Sequence, residues 1–394
     1  LEEKEANQQQ IDQILQTIDT ISETTSFQGS KLLNGGYDFR VTGVHANVAD
    51  LQVNGAKVTH NGTVSIEAIV TTSAQHAGLF LSAGAAALEL TDGTSKFTFE
   101  VAGTNGTREF SFASGTTLTT VRDTINNFKD VTGVSAAVSG TGIVLKTEGF
   151  GSKEFVSVNI SSVGGQAGAV HTLSSIDEDV AATGSATAFS AVTAAIRDEG
   201  QDVSAIVNGI TARGDGKTAI VRNDALSLEL ELTTSAAQAS ASFTAGTIQD
   251  SGAKFNIGPK IDLSSQIAVG LPSVASRNLG NATVGFLDAL AGAGANNVVD
   301  GGAGQEQKDV NKAIDQIAGL RGRLGSVQNN VIGSTVRSLG IALENTSAAE
   351  SQIRETDFAK ETANLTRQQI LVAASTQALS LANASPQNVL GLLG

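Results

Sequence analysis

Six apolar residues near the end of the chain constrain its fold more than any other feature. Ala313, Ile317, Leu320, Leu324, Val327 and Val331 step by four, three, four, three and four. That spacing sets them along one narrow strip of a helix, in the manner of a coiled-coil seam. After a slip of one residue the strip resumes at Ile332, Val336, Leu339 and Leu343. Such a slip unwinds a supercoil towards a nearly straight helix. About forty residues make a rod of roughly 60 Å, against about 11–12 residues for an ordinary globular helix. A strip this thin needs a second helix of the same period. The start of the chain offers one. Ile11, Ile14, Ile18 and Ile21 are spaced three, four and three apart in a helix predicted from Leu1 to about Ser26. Gly29 and then Asn34-Gly35-Gly36 turn the chain. The two strips are expected to pack together as a rod, through Ile11, Ile14, Ile18 and Ile21 on one side and Ile317 to Leu343 on the other.

The stretch from Glu350 to Gly394 reads as one long helix rich in Ala, Gln, Ser, Thr and Leu. It has no Gly from Ser351 to Ser385, and Pro386 stands just before Val389, Leu390, Leu392 and Leu393. An exposed, mostly uncharged helix with an apolar tip needs a partner. Phe358, Leu365, Ile370, Leu371, Val372, Leu379 and Leu381, with Val389, Leu390, Leu392 and Leu393, are the candidate self-assembly residues.

Between about Val41 and Val299 the pattern changes. Asn-Gly or Asp-Gly pairs fall at Asn54-Gly55, Asn61-Gly62, Asp92-Gly93, Asn105-Gly106, Asn208-Gly209 and Asp215-Gly216. These are strong hairpin signals, because both central residues of a type I′ turn need positive φ. Phe97, Phe99 and Val101, then Phe110 and Phe112, alternate with polar residues on either side of the Gly103–Thr107 turn. Leu118, Val121, Ile125 and Phe128 follow on one face of a short helix that stops by Gly133, and further strands are predicted near 134–138, 143–146 and 155–160. Leu226, Leu228, Leu230 and Leu232 alternate strictly, as in a half-buried strand. The predicted fold class is α+β: long coiled-coil-like terminal helices forming a rod, with mostly-β central domains inserted between them.

Chemistry finds little footing. Without Cys, the chain has neither disulfides nor thiolate sites. A net charge of −14 with no Lys/Arg cluster argues against nucleic acid. No apolar run approaches the ~20 residues of a membrane span, so no membrane insertion is expected. His45, His60, His76 and His171 are scattered and form no H-E-x-x-H motif. Gly214–Thr218 echoes a phosphate-binding loop, yet Thr211 replaces its required first glycine, and a hairpin turn fits better. Asp177-Glu178-Asp179 lacks the alternating oxygens and the glycine of a calcium loop. No catalytic, metal or cofactor residues are expected, and no cofactor. The chain does not begin with Met and reads as a fragment.

Particular words sharpen the picture. The run ES-x-I-R-x-T-D-F-A-x-E, followed by Q-I-L and P-Q-x-V-L-x-L-L, closely resembles the carboxyl end of bacterial flagellin. The segment T-T-S-F-Q-G-S-K-L-L-N-G, Thr24 to Gly35, is similar to the end of that family's second amino-terminal helix. Ile314 to Asn329, I-D-Q-I-A-G-L-R-G-R-L-G-S-V-Q-N, resembles its carboxyl-terminal rod helix. The strand–strand–helix–strand unit resembles a module inserted in many flagellins and filament-cap proteins. The resemblance implies an extracellular subunit, exported unfolded through the flagellar channel, that polymerises with identical copies into the filament for swimming. It implies a rod helix and turn at 1–40 and outer domains at 41–300, with the inserted module at about 88–160 and a second β-rich region at about 200–275. It also implies a carboxyl-terminal rod helix at 301–349 and a tube-forming helix at 350–394. Implied partners are an export chaperone at the carboxyl helix and the filament cap and hook-junction proteins. One position that a host innate receptor contacts aligns with Gln10, where receptor-activating relatives carry an acidic residue. A hook–filament junction protein would share these ends, but the long central insertion favours the filament subunit. An extracellular adhesin or surface-layer protein would share the Thr/Gly-rich β middle, yet have no use for two matched coiled-coil ends.

Overall fold

A computed structural model describes residues 2–91, 94–173, 184–258, 262–299, 303–354 and 357–391. The turn at Asp92-Gly93, the acidic run Asp177–Asp179 and the tail residues Leu392 and Leu393 lie outside the described residues. The chain is a mixture of helix and strand with a long carboxyl-terminal helix, in two units, Leu1–Gly322 and Arg323–Gly394.

The first unit opens with helix α1, Glu2–Thr24. A tight hairpin follows, Ser26–Phe27 against Ser30–Lys31. Its two-residue loop needs left-handed backbone at both positions, and Gln28 (φ 50°) and Gly29 (φ 83°) adopt it. Glycine does so freely, whereas glutamine bears the steric cost.

The β-rich middle is nested. An outer module packs two antiparallel sheets face to face. One runs Ile210–Thr211, Ser204–Val207, Thr63–Thr72, Ser242–Gln249, Val41–Thr42, and the other Arg213–Asp215, Thr218–Arg222, Leu226–Leu232, Val48–Ala56. Leu226, Leu228, Leu230 and Leu232 all point into the shared core, where they meet Val53, Ile66, Ala68 and Ile248. Residues 41–72 and 204–249 therefore close one core, although the sequence places them on either side of the inserted module. A short helix, α4 (Thr234–Gln238), is capped by the Thr233 hydroxyl.

The inner module fills residues 78–199. Its sheets run Ile196–Glu199, Phe155–Ser162, Lys96–Gly103, Gly106–Ala113 and Ala186–Ala188, Ala169–Thr172, Gly78–Ser82, Gly142–Thr147, Val134–Ser139. Helix α2, Leu118–Asn126, buries Leu118, Val121 and Ile125, and Thr117 caps it by accepting the Thr120 N–H. One turn of helix, α3 (Lys129–Thr132), then ends at Gly133 with φ 77°. Phe97, Phe99, Phe110, Phe112 and Phe189 form the heart of this core. The hinge between modules is stitched by Gln75 and Gln201, each donating its N–H to the other's carbonyl (2.8 and 3.0 Å). Beside it, Asp202 accepts from the Gly216 N–H (2.8 Å), the Ser152 N–H (3.1 Å) and the Ser152 hydroxyl (2.5 Å).

The turn signals take different roles in the fold. Asn208 (φ 48°) and Gly209 (φ 79°) make a type I′ hairpin loop as expected. At Asp215-Gly216 the loop shifts by one to Gly216-Lys217, with Gly216 at φ 59°. Asn54-Gly55 is no turn at all but lies near the end of Val48–Ala56, where Gly55 pairs with Ser227 and Asn54 is the extra residue at a shift of register before Val53 pairs with Leu228.

Helix α5, Ala303–Ser326, leads into a π-helical segment, Val327–Ile332, and then α6, Gly333–Arg354. The final helix, α7, covers Phe358–Leu390 and takes Pro386 inside it. The single helix expected from 350 onward is thus two. Residues 350–354 belong to α6, and α7 starts anew at Asp357, whose carboxylate accepts the Lys360 N–H at 3.2 Å as an N-cap.

Candidate assembly surfaces

In the first unit, α1 carries Gln8, Leu15 and Ser22 on its buried line. Steps of seven return to the same face of a helix after two turns, and Ile11 and Ile18 flank that line. Leu15 joins Leu279, Leu287, Leu290 and Ala313 in a small third core, with Ile11, Ile18 and Ile317 packed against it. Ile14 (59% exposed) and Ile21 (50%) stand outside it, whereas Leu15 is 7% exposed. The predicted strip Ile11, Ile14, Ile18, Ile21 is therefore rotated in the folded chain. The reason is a partner that periodicity cannot announce. The helix meets the short turns Ser276–Asn278 and Leu287–Leu290 of the connecting segment. Where α1 faces α5, an open apolar groove of about 500 Å³ remains, lined by residues such as Ile14, Leu15, Ile18, Val310, Ile314 and Ile317.

Side-chain amides and carboxylates hold that segment in place. Gln8 Nε2 donates to the Leu290 carbonyl (2.7 Å), and Gln8 Oε1 accepts the Val298 N–H (2.9 Å). Asp12 accepts the Gly292 N–H at 2.8 Å. From α5, Gln316 exchanges two hydrogen bonds with the Gly280 backbone (2.7 and 2.8 Å). The buried Asp309 carboxylate accepts from the Asn296 and Gln305 side-chain amides, both at 2.8 Å. None of these residues has a sequence signature, because each serves a partner in irregular backbone. At the base of the outer module Asp50 lies opposite Glu231 across two strands. Burial, then the Glu231 charge, pushes the Asp50 carboxyl up, against the pull of Lys312 on α5.

Of the remaining residues expected to pack as a rod, Leu320 is buried and Ile317 half-buried in the first unit. In the second unit Val327 and Val331 are half-buried, while Leu324, Val336, Leu339 and Leu343 are exposed. Gln10 is exposed on α1. Along α7, Phe358, Leu365, Ile370, Leu371, Val372, Leu379, Leu381 and Leu390 are all more than half exposed. Of Val389 only the helical backbone is described. Ile370, Leu371 and Val372 are consecutive, so they spread around the helix instead of forming a stripe. Within Phe358–Leu390 only Lys360, Glu361 and Arg367 carry charge. A helix apolar on several sides is the kind that ends up enclosed. No helix among the described residues is long and apolar enough to cross a membrane.

The histidines are far from any common site. His45 lies against Phe243, His76 tilts over Phe150 with ring centres 3.7 Å apart, His171 neighbours Phe80, and His60 faces Asp250. Gly214–Thr218 is a strand–turn–strand corner.

The molecule thus combines closed β modules with a carboxyl-terminal helix whose large apolar side chains are exposed. Comparison with known proteins agrees with that class. The family model for the bacterial flagellin C-terminal helical region matches residues 308–393, and that for the flagellin hook IN motif matches 96–149. The Bacillus subtilis strain 168 protein named "Putative flagellin YvzB" is 36% identical over 148 residues, 38% of this chain and 84% of its own length. Flagellin B of Helicobacter pylori is 28% identical over 428 aligned residues, covering 100% of this chain and 79% of that protein. Bacillus subtilis flagellin is 43% identical over 99 residues, 25% of this chain, and the match spans only about a third of that relative (32%). The chain belongs to the flagellin family.

Proposed function

We propose that this chain is the structural subunit of a bacterial flagellar filament, polymerising head to tail outside the cell, with no catalytic role. The observation that carries the proposal is α7, a 33-residue helix with three charges and large apolar side chains exposed on several sides. Contact between different patches on successive subunits, with a rotation that does not close, builds an open helix. In this reading α7 supplies the tube contact through Phe358, Leu365, Ile370, Leu371, Val372, Leu379, Leu381 and Leu390. Helices α1, α5 and α6 supply the rod, and the nested β modules project outward. An export chaperone would shield α7 before assembly, and cap and hook-junction proteins would meet the polymer at its ends. Electron microscopy of the protein expressed from its own gene, with and without residues 351–394, tests the proposal. Loss of filaments with retention of folded β modules is expected. Normal filaments from the truncated protein would refute it.

A further inference from the structure

The seam along the carboxyl-terminal helices slips by one residue between Val331 and Ile332, and the backbone turns π-helical over Val327–Ile332. The coincidence has a geometric meaning. In a continuous α-helix one surplus residue rotates everything after it by about 100°. Leu324 and Val327 would then face one way, and Val336, Leu339 and Leu343 another. A π turn closes its hydrogen bonds over one more residue than an α turn and takes up that rotation. The local bonding fits: the Gly333 N–H donates to the Gln328 carbonyl, five residues back. Just past the π segment, the Ser334 hydroxyl donates to the Asn330 and Val331 carbonyls (2.5 and 3.0 Å).

We propose that the π turn at Val327–Ile332 is a register device: it absorbs one surplus residue so that the apolar residues on its two sides share one face. The helix is then tolerant to shortening at this place and at no other along Leu324–Leu343. Deletion of Asn330 leaves Leu324, Val327, Ile332, Val336, Leu339 and Leu343 at steps of three, four, four, three and four, an in-phase seam in plain α-helix. Deletion of Ser338 keeps the π turn but rotates Leu339 and Leu343 away.

Two readouts test this, and only the second rests on the filament proposal. In amide hydrogen exchange, deletion of Asn330, or equivalently of Gln328, should raise protection across residues 327–333 at least threefold. Deletion of Ser338 should leave that stretch unchanged. In polymerisation, the Asn330 deletion should assemble within about twofold of the unaltered protein, and the Ser338 deletion should lose at least tenfold. Unchanged exchange in both the Asn330 and Gln328 deletions overturns the proposal. So does a tenfold assembly loss on deleting Asn330, or full assembly on deleting Ser338. If the unaltered protein forms no polymer, the filament proposal fails and the exchange result alone decides the register device.

Discussion

Asp19 on α1 binds Ser276 twice: its Oδ1 accepts the serine backbone N–H at 2.7 Å, and its Oδ2 accepts the hydroxyl at 2.9 Å. Ser276 is buried, and this pair pins the connecting segment to the helix. Replacing Asp19 by Ala leaves two buried donors without an acceptor, a loss of about 1–3 kcal/mol. Thermal denaturation should show the loss, and the Ser276 amide should exchange faster. An unchanged Ser276 amide would mean that the carboxylate is incidental.

Leu15 and Ile14 are neighbours with opposite fates. Leu15→Ala opens a void in the third core and should cost about 2–5 kcal/mol of its local stability. Ile14→Ala should stay within about 0.5 kcal/mol in the unassembled protein. Hydrogen exchange of α1 distinguishes the two substitutions, and equal effects would show that the helix is not held by its Leu15 face.

The paired Gln75 and Gln201 define a clean excision. Replacing residues 76–200 with Asn-Gly closes an antiparallel, doubly bonded pair with a two-residue loop that suits it. The outer module keeps both of its sheets in this variant and should melt cooperatively. A molten product would show that the inner module is part of the outer module's support.

Asp50 and Asp202 should respond to pH with opposite signs. Burial and Glu231 raise the Asp50 value, so its charged form penalises folding at neutral pH, and the penalty fades as pH falls from the raised value to the ordinary carboxylate value. Asp50→Asn should therefore raise the melting temperature at pH 7, with the gain shrinking towards pH 3. At Asp202 burial pulls upward, but the Ser152 hydroxyl, the Gly216 and Ser152 amides and Lys153 outweigh it and lower the value. Its contribution is present above the ordinary carboxylate range and lost as pH falls through the lowered value. Asp202→Asn should lower the melting temperature at pH 7 and matter little in strong acid. Parallel pH profiles for the two variants would contradict this assignment.

Local pattern made much of this legible. Alternation at Phe97–Val101 and Leu226–Leu232 gave strands with the right faces inward, and Leu118, Val121 and Ile125 marked the buried face of α2. The one-residue slip near Val331 was visible as a phase change, though only the backbone shows that a π turn absorbs it. Long-range pairing was not legible. Nothing in Val48–Ala56 indicates that its partner is Leu226–Leu232 instead of the nearer Thr63–Thr72, and the Asn54-Gly55 pair stays within a strand because that distant strand pairs with Gly55. On α1, four isoleucines outweigh Leu15 in the periodicity, while the contacts that set the buried face come from irregular backbone at 276–298.

Nesting also imposes a timetable on folding. Every described strand of residues 78–199 finds its partners within that stretch, so it can close as soon as it is complete. Among the described residues, Val48–Ala56 and Thr63–Thr72 pair with strands after residue 203 and not with each other. If the chain is delivered amino end first, these two strands wait with open edges, the condition that favours aggregation. Closure of the intervening stretch brings Gln75 beside Gln201 and turns a long loop closure into a short one. The speed of that first closure therefore sets how long the waiting strands stay exposed.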